Sequence, residues 1–431
     1  MNKQINSIAV LGAGTMGAGI AALAADKNCK VLLLDISNEA ANKGKENIIN
    51  PKRPMMSNLE NIKYINVGSF ENDFYRIAEY DWICEAVVEN LDIKKKIFSK
   101  IEKYRKRNSI VSSNTSGIPL KEITRGMPES LLKDVCITHF FNPVNVMKLC
   151  ELIPSKKTSV EVIDKISFFL ENILQKGVVY GKDTVNFIGN RIGCFFMLKG
   201  LHEGLYARNN NFSIEKSDAL LSKPIGLPPT GLYGLIDLIG LDVMYSVGKN
   251  LETNLPEKDL GLAFVTLPDA ELKLYEKGQL GRKTGGGFYR IKINTAGDKL
   301  KEVYDLKAEV WKQSKLETVD YNLDTMLEDS PEGMYIWNVM GMSLLYAADL
   351  IPEIADDIVN IDNAMKWGFA WRKGPFEILD QLNPIKVLRK CESLQIKIPK
   401  MLQILRDSSH KTFYSDNQEF LNLNGEYEKI K

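Results

Sequence analysis

Residues 8–36 read IAVLGAGTMGAGIAALAADKNCKVLLLDI. A short β-branched run leads through Gly12, Gly14 and Gly17, in G-x-G-x-x-G spacing, into an alanine- and glycine-rich helical stretch, and a second apolar run, VLLLD, follows. In that context each glycine has a physical task. The first makes the turn, the second lets backbone approach a pyrophosphate, and the third lets the helix lie close to the strand. Asp35 stands 23 residues after Gly12, at the end of VLLLD. A carboxylate there can accept from both ribose hydroxyls of an adenosine and repels a 2′-phosphate, so the two features predict a β-α-β dinucleotide site that takes NAD rather than NADP. Without the strand and helix around it, the loop would be only a glycine turn beside a surface aspartate.

Outward from this unit the alternation continues to about Lys182. VLLLDI leads into a helical pattern over 38–47, YINVG into a short helix, and WICEAV into the helix that carries IKKKIFSKI. SIVSSN, VCITHF, CELIP and VVYGK read as further strands, with a helix over 159–174. Strands alternating with helices imply a mainly parallel, doubly wound sheet. Beyond Asp183 the period turns helical, with Phe187, Ile188, Ile192, Phe195, Phe196, Leu198 and Leu201 on one stripe. A glycine-rich GRKTGGGFYR at 281–290 closes that part.

The last third repeats a pattern. IEKSDALLSKPIGLPPTGLYGLIDLIG, from Ile214, has an echo in IVNIDNAMKWGFAWRKGPFEILDQLN, from Ile358. Each runs Ile, Asp four later, an apolar helix, a Gly/Pro turn, then an Ile-Asp or Leu-Asp pair in a second helix. An offset of about 144 residues is too long for a solenoid repeat and suits a duplicated helical domain. The expected organisation is an α/β dinucleotide-binding domain over 1–182 and two repeated all-α helical domains over 183–290 and 331–410. Residues 291–330 read as a connection between them and 411–431 as a polar tail.

Bulk properties bound the function. A chain of 431 residues exceeds what one hydrophobic core supports, so about two or three domains are expected. With 56 Lys plus Arg against 55 Asp plus Glu the formal charge is +1, which gives no global field to draw nucleic acid or an anionic membrane. MNKQINSIAVLG has no charged leader ahead of a long apolar run, and no stretch approaches the ~18 apolar residues of a membrane span. A cytoplasmic protein is expected. The six cysteines, at 29, 84, 136, 150, 194 and 391, are scattered without C-x-x-C spacing, so neither disulfides nor a metal site is expected.

Only three histidines occur, and His139 sits in THFFNPVNVMKLCELIP, 138–154, with Glu151 twelve positions on. A histidine on an apolar strand is ordinarily a satisfied core residue. A dinucleotide loop upstream opens another use. The imidazole can take the proton of an alcohol as the carbinol hydride leaves for the nicotinamide, while a carboxylate on its other nitrogen fixes the tautomer and stabilises the imidazolium. Glu151 is the candidate partner, since both residues fall at ends of neighbouring predicted strands. Glu89 and Lys94, in EAVVENLDIKK, straddle the end of the fourth strand, on the edge where a doubly wound sheet binds ligands; taken alone they read as solvated charges. SSNTSG at 112–117 puts hydroxyl and amide groups at the end of the fifth strand, or forms a turn with a helix cap at Ser116. Asn190, in KDTVNFIGNRIG, lies on the first turns of the hydrophobic helix, where its amide could meet a substrate oxygen or the backbone.

GAGTMG with Asp35, VVEN followed by Lys94, SSNTSG, HFFNPV with MKLCELIP, KDTVNFIGNR and GRKTGGGFY, in this order, resemble the L-3-hydroxyacyl-CoA dehydrogenases of fatty acid β-oxidation over about residues 5–410. The resemblance implies a Rossmann domain followed by helical domains with substrate between them, NAD as cofactor and a 3-hydroxyacyl-CoA as substrate. It assigns His139 as general base toward the 3-hydroxyl and Glu151 as its acid partner. Ser116 and Asn190 go to the substrate oxygens, and Glu89, Lys94 and Asn142 to the nicotinamide ribose side. The duplication is similar to the longer members, including bifunctional ones with an enoyl-CoA hydratase module. It implies a monomer whose second helical copy covers the first in cis, with a homodimer as the alternative. The chain ends near where a hydratase module would begin, and no hydratase activity is expected.

Two departures stand out. Many relatives have Asp-Thr-Pro where Val185 follows Asp183 and Thr184, a change expected to loosen the approach to the next helix. The segment 37–62 is shorter than in most short members, where it helps hold coenzyme A; Lys43, Lys45, Lys52 and Arg53 could still meet CoA phosphates, or form a solvated basic loop. Two other readings stay open: a dehydrogenase of a small free hydroxy acid, and a non-catalytic dinucleotide-binding protein or fragment.

Overall fold

The computed structural model describes residues 4–295 and 297–430. It divides into two compact units, Met1–Asn190 with Glu353–Asp356, and Arg191–Pro352 with Asp357–Lys431. In the first unit eight strands form one sheet. They are β1 (Ser7–Leu11), β2 (Lys30–Asp35), β3 (Ile65–Ser69), β4 (Trp82–Glu85), β5 (Ile110–Ser113), β6 (Val135–Phe140), β7 (Leu149–Pro154) and β8 (Gly177–Tyr180). Their order is β3-β2-β1-β4-β5-β6-β7-β8, and every pairing is parallel except β6 with β7.

β1, β4, β5 and β6 are buried along their whole length, and β1 and β4 accordingly read as near-continuous apolar runs rather than alternating ones. Three of the helices that follow the strands start on side-chain caps. Ser37 accepts from Ala40 N ahead of Asn38–Ile48, Asn90 from Ile93 N ahead of Leu91–Tyr104, and Ser159 from Val162 N ahead of Val160–Phe168. The helix expected over 159–174 is Val160–Phe168 continued by a π-helical turn, Phe169–Ile173. The strand order reverses between β1 and β4, and there the register pairs Leu11 with Leu34 and Glu85, and Glu85 with Ser113. The carboxyl ends of β2, β1, β4 and β5 thus line one edge, the place where such sheets bind ligands.

The second unit carries the duplication. Helices Ile214–Leu220, Gly231–Ile239 and Leu241–Asn254 of the first copy are followed by an antiparallel sheet of Tyr289–Ile293, Lys299–Asp305 and Val310–Gln313. Helices Ile358–Gly368, Pro375–Gln381 and Pro384–Ser393 of the second are followed by one of Tyr414–Ser415, Glu419–Leu421 and Tyr427–Lys429. Both copies are held by the same buried polar lock. Asp218 accepts from Tyr233 N (2.7 Å), Gly234 N (3.2 Å) and the Tyr289 hydroxyl (2.8 Å). Asp362 accepts from Phe376 N (2.8 Å), Glu377 N (3.1 Å) and the Tyr414 hydroxyl (2.9 Å). Asp237 then takes the N–H groups of Phe288 and Tyr289, as Asp380 takes those of Phe413 and Tyr414. Burial pushes Asp218 up to about 7 and Asp362 up to about 8, while the hydroxyl and backbone donors oppose it.

The stretches expected to be a connection (291–330) and a polar tail (411–431) are corrected by this arrangement. Each holds the sheet that closes its helical copy, with Val303 and Tyr304 buried in the first and Phe413, Phe420 and Leu421 in the second. YRIKI has three exposed residues, and KLKEVYD is buried only at Val303 and Tyr304, so both strands carry charge. Helices dominate both copies, as expected, but each copy ends in a sheet and neither is all-α. Within this unit the first copy's helical stripe lies against the second: Phe195 stacks on Tyr346 with ring centroids 4.1 Å apart, and Phe196 meets Trp371 edge-on at 5.8 Å. The fully buried Arg191 donates to the Tyr346 hydroxyl at 2.7 Å and pairs with Asp259. Among the described residues no single helix is long and apolar enough to cross a membrane; the bent pair Gly231–Ile239 and Leu241–Asn254, 88° apart, passes that test only together.

Replacing Asp362 by Ala strands two backbone N–H groups and a hydroxyl, and is expected to lower stability by about 3 kcal/mol or more. Tyr414→Phe removes one bond and is expected to cost about 1 kcal/mol. Urea unfolding checks both. A wild-type midpoint in Asp362→Ala would show that the carboxylate does not lock the second copy.

Candidate active site

At the glycine loop, Gly12 has φ +108°, and a Cβ there would lie 2.4 Å from the Ala86 carbonyl oxygen; one at Gly17 would lie 1.8 Å from that of Gly12. Position 14 differs. A Cβ meets nothing within 4 Å, and the helix Thr15–Asp26 that opens there has neither a side-chain cap nor an acidic residue in its first turn. Its N–H groups and positive end therefore face open space, the cradle that suits a pyrophosphate. Asp35 ends β2 with its two oxygens accepting from Ala13 N and Ile36 N, both at 2.6 Å. This fixes the carboxylate across the loop, with lone pairs left for ribose hydroxyls.

A cavity of about 500 Å³ beside the loop is lined by Gly14, Thr15, Asp35, Lys43, Asn47 and Arg53. Lys43 and Arg53, weighed from sequence as CoA contacts, thus stand on the dinucleotide side. Lys45 donates to the Ile65 carbonyl oxygen at 2.6 Å, and Lys52 is exposed.

His139 and Glu151 face each other in register across β6 and β7, with Nδ1 and Oε2 2.6 Å apart. His139 is 3% exposed and Glu151 wholly buried. The other carboxylate oxygen accepts from Ile188 N (3.1 Å) and Gly189 N (2.8 Å), where the helix Gly189–His202 starts. One anion is thus shared between a helix N-terminus and an imidazole. An ionised carboxylate only accepts, so this pairing suits the tautomer with its proton on Nδ1. The rings of Phe141 and Phe187 stand 4.5 and 5.7 Å from the imidazole, centroid to centroid.

Asn186 and Phe187 have φ of 60° and 51°. Such backbone costs on the order of 1–3 kcal/mol per residue and persists only where its surroundings hold it. Here the hold comes from Glu151 on the next two N–H groups and from complete burial of the Phe187 ring. The approach to the helix, expected to be loosened at Val185, is pinned instead, and Val185 itself is buried.

No helix is capped by Ser116; the next one, Leu120–Ile123, begins after Pro119. Ser116 is exposed, donates its N–H to Glu89 Oε1 at 2.9 Å, and accepts at its carbonyl from Asn190 Nδ2 at 3.4 Å. The two residues expected at the substrate oxygens are therefore brought together. Lys94 is not a solvated charge. It is 1% exposed and reaches Glu85 at 2.8 Å and Glu89 at 3.2 Å, because the first turn of its helix folds over the end of β4. Asn142 is exposed, in a segment whose Val144 lies so near the glycine-loop helix that a Cβ at Gly19 would be 2.8 Å from it.

Two residues escaped the sequence reading. Asn114 accepts the N–H of Phe140 at 2.9 Å and so pins the end of β6 next to His139. Glu85 is a fully buried carboxylate on an otherwise apolar strand, and that contrast within WICE was its only signal. Cysteine chemistry has no place here: all six thiols are free and buried, and burial pushes that of Cys84 up to about 12. Among the described residues no group of three His, Cys, Asp or Glu side chains could hold a metal ion.

Fold and site together define a dinucleotide-binding α/β protein with a histidine–carboxylate pair beside the ligand edge of its sheet. Residues 7–184 match the NAD binding domain of 3-hydroxyacyl-CoA dehydrogenase, and residues 187–291 match its C-terminal domain. The chain belongs to the 3-hydroxyacyl-CoA dehydrogenase family. It is 36% identical over 465 residues to a probable 3-hydroxyacyl-CoA dehydrogenase of Bacillus subtilis, covering 100% of this chain and 58% of that protein. It is 33% identical over 294 residues to a probable 3-hydroxyacyl-CoA dehydrogenase of Deinococcus radiodurans, covering 67% of this chain and 83% of the relative. Among solved structures, (S)-3-hydroxybutyryl-CoA dehydrogenase from Ralstonia eutropha matches with a TM-score of 0.55 at 28% identity, over 66% of this chain and 98% of that one. The fold of 3-hydroxybutyryl-CoA dehydrogenase from Escherichia coli K12 matches with a TM-score of 0.71 at 23% identity, over 91% of this chain and 95% of that one. The chain spans less than two thirds of the longer relatives it matches, 58% of the Bacillus protein.

The glycine geometry separates binding from folding. Gly14→Val is expected to weaken NADH binding at least about tenfold, by filling the cradle, with an unchanged unfolding midpoint. Gly17→Val, which drives a Cβ into backbone, is expected to cost about 1–3 kcal/mol or more. Fluorescence titration and urea unfolding read the two. Wild-type NADH affinity in Gly14→Val would remove the loop as the pyrophosphate site.

Proposed function

We propose that this chain reversibly oxidises an L-3-hydroxyacyl-CoA to the 3-ketoacyl-CoA with NAD, as a step of fatty acid β-oxidation. The observation that carries the reading is the buried 2.6 Å hydrogen bond from His139 Nδ1 to Glu151. It lies on the same sheet as the glycine loop. The names of the relatives support the substrate class.

Nicotinamide bound at this edge supplies the hydride acceptor. Glu151 holds the imidazole with Nε2 unprotonated, so that Nε2 takes the hydroxyl proton while the carboxylate balances the charge that arises on the ring. The Ser116 hydroxyl and the Asn190 amide donate to the substrate oxygen as its charge develops. Phe141 and Phe187 flank the imidazole and keep its proton from solvent. Glu89, Lys94 and Asn142 serve the nicotinamide ribose side.

The contacts of Phe195 and Phe196 with Tyr346 and Trp371 cover the first helical copy in cis, which supports a monomer as the working form. Six free, buried cysteines accord with a reducing, cytoplasmic setting. Hydration of a 2-enoyl-CoA is expected from neither unit.

The purified protein is expected to consume NADH with acetoacetyl-CoA or a longer 3-ketoacyl-CoA, and to do far less with the free acids. His139→Gln is expected to lower turnover at least ~100-fold with NADH affinity nearly intact. Equal turnover by both proteins would refute the base assignment. Activity on free acids alone would move the substrate class, and NADH binding without turnover of any thioester would point to a non-catalytic protein.

A further inference from the structure

β4 is apolar up to its last residue, and that residue is a carboxylate. Glu85 is fully buried, paired in register with Leu11 on one side and Ser113 on the other. Its Oε1 accepts from Val87 N and from the Lys94 ammonium, both at 2.8 Å, and its Oε2 from the Ser113 hydroxyl at 2.5 Å. Lys94 is 1% exposed and spans from Glu85 to Glu89 Oε2 at 3.2 Å. Glu89 Oε1 in turn accepts from the Thr115 hydroxyl (2.6 Å), Ser116 N (2.9 Å) and Gly117 N (3.2 Å).

Folding alone does not call for this arrangement. A buried ion pair recovers its desolvation cost only with good geometry and further hydrogen bonds, and an apolar pair of similar volume serves stability as well or better. What the charges supply is direction. The Lys94 ammonium has been withdrawn from water, and Glu85 is the fixed anion that aims it. Lys94 aims Glu89, and Glu89 holds the turn that presents Ser116. Through Ser113 the same carboxylate also ties β4 to the strand from which that turn springs.

We propose that Glu85 is the positioning residue of the dinucleotide site: it orients Lys94 and Glu89 toward the nicotinamide ribose without touching the cofactor. The proposal rests on the ribose-side reading of Lys94 and Glu89 given above. Because it concerns cofactor binding, the deciding readout is NADH affinity, and a protein that bound NADH but turned over no thioester would sink the activity while leaving that readout intact.

The experiment is a double-mutant cycle on NADH affinity, followed by fluorescence titration with urea unfolding alongside. Glu85→Gln keeps the volume and is expected to raise the Kd for NADH at least about tenfold; Lys94→Met is expected to do the same. The double variant is expected to bind no more weakly than Lys94→Met, because each substitution removes the same interaction. With acetoacetyl-CoA, the rise in KM for NADH in Glu85→Gln is expected to exceed the fall in kcat, a split that mere loss of stability would not produce. Additive losses in the cycle, or wild-type affinity in Glu85→Gln, would overturn the proposal. Should that variant fail to fold, Ser113→Ala takes its place, since it removes one of the carboxylate's donors without unpairing a charge. At least about a threefold rise in Kd is expected there, and wild-type affinity would overturn the proposal equally.

Discussion

Three donors converge on one buried carboxylate, and the geometry of the site depends on that sharing. Glu151 takes Nδ1–H of His139 on one oxygen and the N–H groups of Ile188 and Gly189 on the other. A carboxylate withdrawn from water must be fully hydrogen-bonded or it destabilises the fold. Each donor therefore needs the others. The helix N-terminus keeps the anion in place, the anion keeps the imidazole in one tautomer, and the strained turn at Asn186 and Phe187 persists because its end is held. Cross-strand register is what makes this possible, since β6 and β7 run antiparallel and place positions 139 and 151 directly opposite.

A second buried carboxylate organises the other side of the ligand edge. Glu85, two strands from β6 in the sheet, gathers Lys94, Ser113 and the backbone of Val87. Between the two lies the SSNTSG segment, whose Asn114 pins Phe140 and whose Thr115 and Ser116 hang on Glu89. The site is thus built on buried strands, with its polar groups near the strand ends that meet at this edge.

That pattern explains what could be read from the sequence. Gly12, Gly14, Gly17 and Asp35 were legible because a pyrophosphate cradle needs those residues at those spacings, and the strands were legible because two-sided burial makes them continuous apolar runs. His139 and Glu151 could be paired because only three histidines compete. The burial of Lys94 and the part played by Glu85 were not legible. Whether a lysine at a helix start faces water or folds over a strand end is decided by the crossover, and Glu85 looks in sequence like a polar interruption of WICEAV. The two small sheets were missed for another reason. The lock spans 71 residues between Asp218 and Tyr289 but 52 between Asp362 and Tyr414, so a comparison at fixed offset loses the second tyrosine. The strands of the second sheet are only two or three residues long, and those of the first are rich in charged residues, so apolar content marks neither.

The account turns on which ring nitrogen of His139 carries the proton. The nitrogen-15 spectrum of the imidazole, assigned by the signals that vanish in His139→Gln, reads this directly in the ligand-free protein. A protonated Nδ1 with a strongly deshielded proton, beside an unprotonated Nε2, is the predicted result. A protonated Nε2 with a bare Nδ1 would contradict it, because the nitrogen meant to receive the substrate proton would already be occupied.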